Sequence, residues 1–384
     1  MPADRLFGPS LTTAAMAAAV SDTAWLSAML RFEAALANAQ ARLELIPREA
    51  ADAIVAACRL ERYDIEAIGV EALDSASPVL PLVDALRRIV GSDAASFVHR
   101  DATSQDAVDT AMMLVARDAL DILLTDLRLL TDQCAELAQQ YRDTPMAGRT
   151  LLQQARPITF GFKASTWLMG VVEAHRHLVA IRYGRLAVQL GGPVGTLDGF
   201  SGRGTEMLAA MALDLGLAEP ELPWHTNRGR ISELAAALAV AAGACAKIAL
   251  DVMLLAQTEV GEVSVASPGR SSAMPDKRNL AQAVEARAAF AGVIGQVHVL
   301  LAAMSGEHER SAGAWQSEWP AVSETFRLAA GAVARTRETL TGMEVRADRM
   351  LHNLGQTQEV AIGASVLVDR ALQIYTSEVM NDER

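Results

Sequence analysis

The chain has 384 residues, 51% of them hydrophobic, with Gly 26, Pro 13 and a formal net charge of −12. That composition excludes disorder and collagen-like repeats, and the acidic balance argues against nucleic acid or an anionic membrane as the main partner. A small anionic substrate held by a few local Arg and Lys remains open. The three cysteines, Cys58, Cys134 and Cys245, lie far apart without a CxxC pair or Cys/His cluster. They read as buried thiols of a cytoplasmic protein, not as a zinc site or a disulfide framework.

Residues 1–13 contain no basic region followed by an apolar core, so no secretory leader is expected there. Residues 1–100 carry short helices broken at Pro47, Pro78 and Pro81. Residues 104–143 then run without Pro or Gly. There, Met113, Leu120, Leu123, Leu127, Leu130, Cys134 and Leu137 recur three, four or seven apart, forming one helical stripe. Long helices are also expected over 162–190, 230–260, 279–304 and 322–343. The most apolar run, 234–246, is shorter than the roughly 20 residues of a membrane span, so it reads as a buried helix. Ala and Leu dominate and alternating β-branched runs are scarce, which makes the chain nearly all α. The spacing divides it into an N-terminal helical domain (1–103), a central long-helix bundle (104–345) and a short helical C-terminal remnant (346–384). Helices this apolar need partners beyond one chain, so an oligomer is expected.

Polar residues collect at the breaks between the long helices. The run from His99 to Asp106 (HRDATSQD) reads as a helix N-cap at Thr103 or Ser104, and equally as a carboxylate site. Arg149, Gln154 and Arg156 lie in a segment, 148–157, that reads as a loop. His225, Asn227, Arg228 and Arg230 precede the third long helix, where such residues suit anion binding. Residues 267–279 (SPGRSSAMPDKRN) place paired serines before Lys277, Arg278 and Asn279 in a loop shaped by two Pro and one Gly. Positive charge beside a serine favours its alkoxide. No GxSxG elbow is present, so a hydrolase reading is weak. Glu307, His308, Glu309, Arg310 and Ser311 form a last charged cluster ahead of Trp315 and Trp319.

The stretch SSAMPDKRN resembles the signature loop of the fumarase/aspartase superfamily, G-S-S-x-M-P-x-K-x-N, and Thr103-Ser104-Gln105-Asp106 resembles its T-S-x-D segment. ATSQDAVDT, PWHTNR, TEVGEV, GEHERSAGAWQSEW and RFEAALANAQARLELIP resemble the bacterial 3-carboxy-cis,cis-muconate cycloisomerase family within it. The resemblance implies an all-α protein whose five long helices assemble into the 20-helix core of a homotetramer. Each active site would then be shared by three subunits, with no metal and no cofactor. It implies a small polycarboxylate substrate whose proton next to a carboxylate moves, charge spreading into an aci-carboxylate. Ser271 matches the catalytic serine. Lys277 and Asn279 match residues that hold a substrate carboxylate and stabilise the aci-anion. Thr103 and Ser104 match carboxylate-binding hydroxyls, and His99, Arg149, Gln154, His225, Arg228, His308 and Arg310 complete the expected substrate-binding set.

The chain departs from the pattern at Asp101 and Arg270, each replacing a glycine, at Asp276, at Leu280 and at Gln154, where many cycloisomerases have His. Asp101 and Asp276 are expected to turn away from substrate carboxylates or to pair with an Arg. Two like charges about 4 Å apart repel by roughly 4 kcal/mol at an effective dielectric of about 20. Three readings follow. The first is conversion of 3-carboxy-cis,cis-muconate to 4-carboxymuconolactone. The second is a fumarate-releasing lyase of adenylosuccinate or nitrosuccinate type, the former disfavoured by the missing His in 148–157. The third is a non-catalytic member.

Overall fold

The structure, a computed structural model, describes residues 6–266, 269–274, 277–355 and 361–378. The expectation for Asp276 lies outside them. Helices of eight or more residues are, in chain order, α1 (Asp22–Arg42), α2 (Arg48–Ala57), α3 (Val79–Val90), α4 (Ser104–Gln140), α5 (Phe160–Gly184), α6 (Gly204–Leu215), α7 (Gly229–Leu255), α8 (Ala281–Ala302), α9 (Ala314–Leu340), α10 (Ala347–Leu354) and α11 (Ile362–Glu378). The five long ones, α4, α5, α7, α8 and α9, form the bundle: α4 packs on α5 and α9, and α7 on α5, α8 and α9. α1 lies along α4, and α11 along α5.

The stripe on α4 is the bundle's spine. Leu120, Leu123, Leu127, Leu130 and Cys134 are fully buried. Each buried Leu contributes about 1.5–3 kcal/mol relative to exposure, so the heptad-like spacing fixes which face of α4 turns inward. Burial pushes the Cys58 and Cys245 thiols up to about 12, which leaves them inert.

Three expectations require correction. The segment 148–157 is not a loop. It belongs to a hairpin of β1 (Pro145–Thr150) and β2 (Gln153–Thr159), antiparallel and bulged between Ala147 and Arg149. A second antiparallel pair joins β3 (Val263–Ser264) to β4 (Glu344–Val345). The hairpin turns through Leu151 and Leu152, both at positive φ (48° and 65°). Tight hairpins usually announce themselves as Asn-Gly or Asp-Gly at those positions, and Leu-Leu hides the signal. Next, α5 ends at Gly184 rather than 190, because Leu186–Val188 is extended and exchanges backbone hydrogen bonds with Ala218. Finally, α9 begins at Ala314, so Pro320 sits inside it. In the second turn a proline forgoes a single backbone hydrogen bond, and the helix continues through it.

Candidate active site

Strand and helix order sorts the polar clusters into two ends of the bundle. At one end lie the N-termini of α4, α7 and α9 and the segment following α8. At the other lie the β1–β2 hairpin, the segment following α7, and the loop preceding α8. The two ends are separated by the length of α7, whose 27 residues span roughly 40 Å at about 1.5 Å per residue.

The first end is a buried hydrogen-bond network. Asp106 caps α4: its Oδ2 accepts from Thr103 N and Gly192 N, both at 3.0 Å, while its Oδ1 lies 2.6 Å from His225 Nε2. Gln105 donates to the His225 carbonyl (2.7 Å) and to Asp109 (3.1 Å). Arg228 bridges Asp109 (2.7 and 3.1 Å) and Glu318, and Trp315 Nε1 donates to Asp109 at 2.9 Å. Burial pushes the Glu318 carboxyl up, and Arg228 opposes that rise. Burial also works against the Arg228 charge, but Asp109 and Glu318 outweigh it and hold the guanidinium above its usual range. The reading of Arg228 as a substrate ligand is therefore corrected: it is 2% exposed and engaged on two carboxylates.

Arg310 is different. Its guanidinium donates to Gln105 Oε1 (3.0 Å) and to the carbonyls of Gly192 (2.6 Å) and Pro193 (3.0 Å). Every one of these acceptors is neutral. Burial lowers its pKa, against the pull of Asp106 and Asp109. A half-buried cation bonded only to neutral groups, one of them Gln105 in the first turn of a 37-residue helix, attracts an anion. His99 lies nearby but is bound to Glu33, Nδ1 to Oε1 at 2.6 Å. Burial opposes its charge, yet the Glu33 charge and hydrogen bond raise its pKa. Asp101 meets its expectation by pairing with Arg100 at 3.4 Å. It takes positive φ (62°), the conformation for which glycine is the usual choice. His308 is exposed, at φ 50°.

At the second end, Arg149 forms a bidentate pair with the fully buried Glu262 (2.6 and 2.9 Å), which also accepts from Asn353 at 2.9 Å. Gln154 donates to the Asn353 carbonyl at 2.8 Å. Arg149 is thus neutralised within the chain. The Ser271 hydroxyl accepts from Met274 N (3.1 Å) and Ala273 N (3.4 Å), closing a local turn. Asn279 donates to the Arg270 carbonyl (3.1 Å), and its backbone pairs with Gly269. Lys277 is exposed and makes no ion pair among the described residues. Ser271, Lys277 and Asn279 therefore share one loop, but none touches His225 or Arg310 among the described residues. A cavity of about 680 Å³ lined by Trp25, Met29, Ile65, Val108 and Trp319 contains none of the candidate residues.

Sequence reasoning missed Glu33, Asp109, Glu262, Glu318 and Asn353. The signal for Asp109 was present: Gln105, Asp106, Asp109 and Thr110 recur at helical spacing at the start of α4, and all four are buried. No group of three or more His, Cys, Asp or Glu able to hold a metal occurs among the described residues.

A family model described as lyase matches residues 7–295. A nitrosuccinate lyase of Streptomyces davaonensis is 44% identical, over 97% of this chain and 80% of that protein. A 3-carboxy-cis,cis-muconate cycloisomerase of Pseudomonas aeruginosa is 42% identical, over 97% of this chain and 83% of that protein. The crystal structure of the 3-carboxy-cis,cis-muconate lactonizing enzyme from Pseudomonas putida superposes with a TM-score of 0.87 at 38% identity, covering 98% of this chain and 88% of that one. With its bundle, its Ser271 loop and its capped α4 in place, the chain belongs to the lyase family of the fumarase/aspartase superfamily, a family of enzymes.

Proposed function

We propose that this protein is a cycloisomerase that closes 3-carboxy-cis,cis-muconate to 4-carboxymuconolactone, in active sites assembled from several copies of the chain. The observation that carries the shared site is the separation of the two polar ends by the length of the bundle. Arg310, Ser104 and His225 offer positive charge and donors to a carboxylate at one end. Ser271, Lys277 and Asn279 offer the same at the other, and one chain cannot fold them onto one small molecule. Copies packed with their bundles side by side and reversed would bring unlike ends together.

The surface supports such packing. α7 and α8 are long and apolar enough by composition to cross a membrane, yet only 50% and 28% of their most apolar windows are buried within the chain. Val240, Val284, Ile294 and Leu301 are exposed on them, and Leu151 and Leu152 at the hairpin tip are 96% and 77% exposed. In a homotetramer, other copies cover these faces.

In the reaction, one substrate carboxylate oxygen adds across the conjugated double bond. The electron pair moves toward the α-carbon and its carboxylate, and the α-carbon takes a proton from Ser271. Lys277, Asn279 and Arg310 stabilise the charge as it spreads, which is where preorganised donors act most strongly. A second reading, elimination of nitrite from nitrosuccinate to give fumarate, is favoured by the 44% identical relative. Purified protein given each substrate separates them. The cycloisomerase consumes carboxymuconate without releasing fumarate, the lyase releases fumarate and nitrite, and inertness toward both leaves the non-catalytic reading.

A further inference from the structure

Asp106 occupies the third position of α4, where an acidic residue usually does no more than cap the helix. Here its second oxygen points at the ring of His225, 2.6 Å from Nε2. Its first oxygen already accepts two backbone N–H groups, from Thr103 and Gly192. A carboxylate in that setting only accepts, so Nε2 must carry the hydrogen. Gly191 and Gly195 line its far side: a Cβ at Gly191 would stand 2.6 Å from His225 Cε1, and one at Gly195 would stand 3.7 Å from Nδ1. Nδ1 bonds to no described residue and is not among the buried unpartnered atoms. It faces the 191–195 turn, whose Gly192 and Pro193 carbonyls hold Arg310.

We propose that Asp106 is a positioning residue: it locks His225 with Nε2–H inward and Nδ1 toward the anion site, so that the imidazole grips a substrate carboxylate only when protonated. In the neutral ring Nδ1 presents a lone pair, which repels a carboxylate. In the imidazolium both nitrogens donate, one to Asp106 and one to substrate. Of the charged groups around it, Asp106 contacts the ring, while Asp109, Arg228 and Arg310 join the same hydrogen-bond network through Gln105 and the His225 carbonyl. The 191–195 turn contributes none. This inference rests on the anionic-substrate reading of the site but not on which acid is turned over.

The test is Asp106→Asn in the full chain. The asparagine oxygen still accepts from Thr103 and Gly192, so its NH₂ must face Nε2. That reverses the tautomer and puts the hydrogen on Nδ1. In protein labelled with ¹⁵N-histidine, the His225 signal is the one of seven that His225→Gln removes. The wild type is expected to show the Nε2–H tautomer and Asp106→Asn the Nδ1–H tautomer. With carboxymuconate, wild-type kcat/KM is expected to fall about tenfold per pH unit beyond its alkaline limb. Asp106→Asn loses that limb, since its neutral ring still donates. An Nδ1–H tautomer in the wild type overturns the proposal. So does an Asp106→Asn enzyme that is slower at every pH with the limb intact, the mark of a merely structural carboxylate. If the wild type turns over no carboxymuconate, the reaction reading fails, and the tautomer comparison still decides the role of Asp106.

Discussion

The capped end of α4 and the loop before α8 carry the same kinds of side chain in opposite states. Around Asp106 and Asp109, almost every donor has its acceptor inside the chain, and Arg228, Asp109 and Glu318 are all but removed from water. Around Ser271 the polar groups are half-buried or exposed, and their hydrogen bonds are local turns. Buried networks of this kind are rigid because any lost partner strands a charge. The loop has no such constraint. The difference teaches that the end around Asp106 is set by folding alone, whereas in the proposed assembly the Ser271 loop closes against another copy of the chain.

Substitutions can break or sharpen that contrast. Arg228→Ala leaves Asp109 and Glu318 buried without their cation and is expected to cost about 3–5 kcal/mol of stability, read by urea unfolding. A loss below 1 kcal/mol would show that the network is not the rigid half. Ser271→Ala is expected to reverse the pattern: turnover falls by about 10² to 10⁴ with an unchanged Tm, while Ser272→Ala, on the same loop, retains activity. Should Ser272→Ala be the inactive variant, the assignment within the pair is wrong. Replacing Leu151 and Leu152 by Asn and Gly removes left-handed strain of about 1–2 kcal/mol per residue and also the exposed leucines. Sedimentation is expected to show weaker assembly, and an unaltered profile would mark the hairpin tip as free surface.

The smallest effect concerns pH. The Glu33 contact raises the folded pKa of His99 above its ordinary value, against the effect of burial. Its stabilisation is therefore complete below the unfolded value and is lost as pH rises through the raised one. Stability measured from pH 6 to 9 is expected to decline more in the wild type than in His99→Gln. Parallel curves would count against the pair.

Much of the fold was legible because helices write themselves into sequence. The period of Met113 to Leu137 defines one face of α4 without reference to anything distant. The hairpin was not legible, since its turn uses Leu-Leu at positions where backbone geometry favours Asn-Gly, and only the pairing of β1 with β2 stabilises that choice. In the site, the types of residue were legible and their allegiances were not. Arg149, Arg228 and Arg310 look alike in sequence. What separates a neutralised arginine from one left for an anion is whether Glu262, Glu318 or a row of carbonyls stands opposite. Those partners lie 113, 90 and up to 205 residues away.

The central claim, that unlike ends of different copies complete one site, is tested most directly by mixing two inactive variants. Ser271→Ala destroys the loop half and Arg310→Ala the anion-binding half. Unfolded together and refolded, they are expected to regain activity in about a quarter of sites, because each site draws its halves independently from a symmetric assembly. Activity that stays at the level of the separate variants, in a mixture shown to have formed hybrid oligomers, would contradict the account.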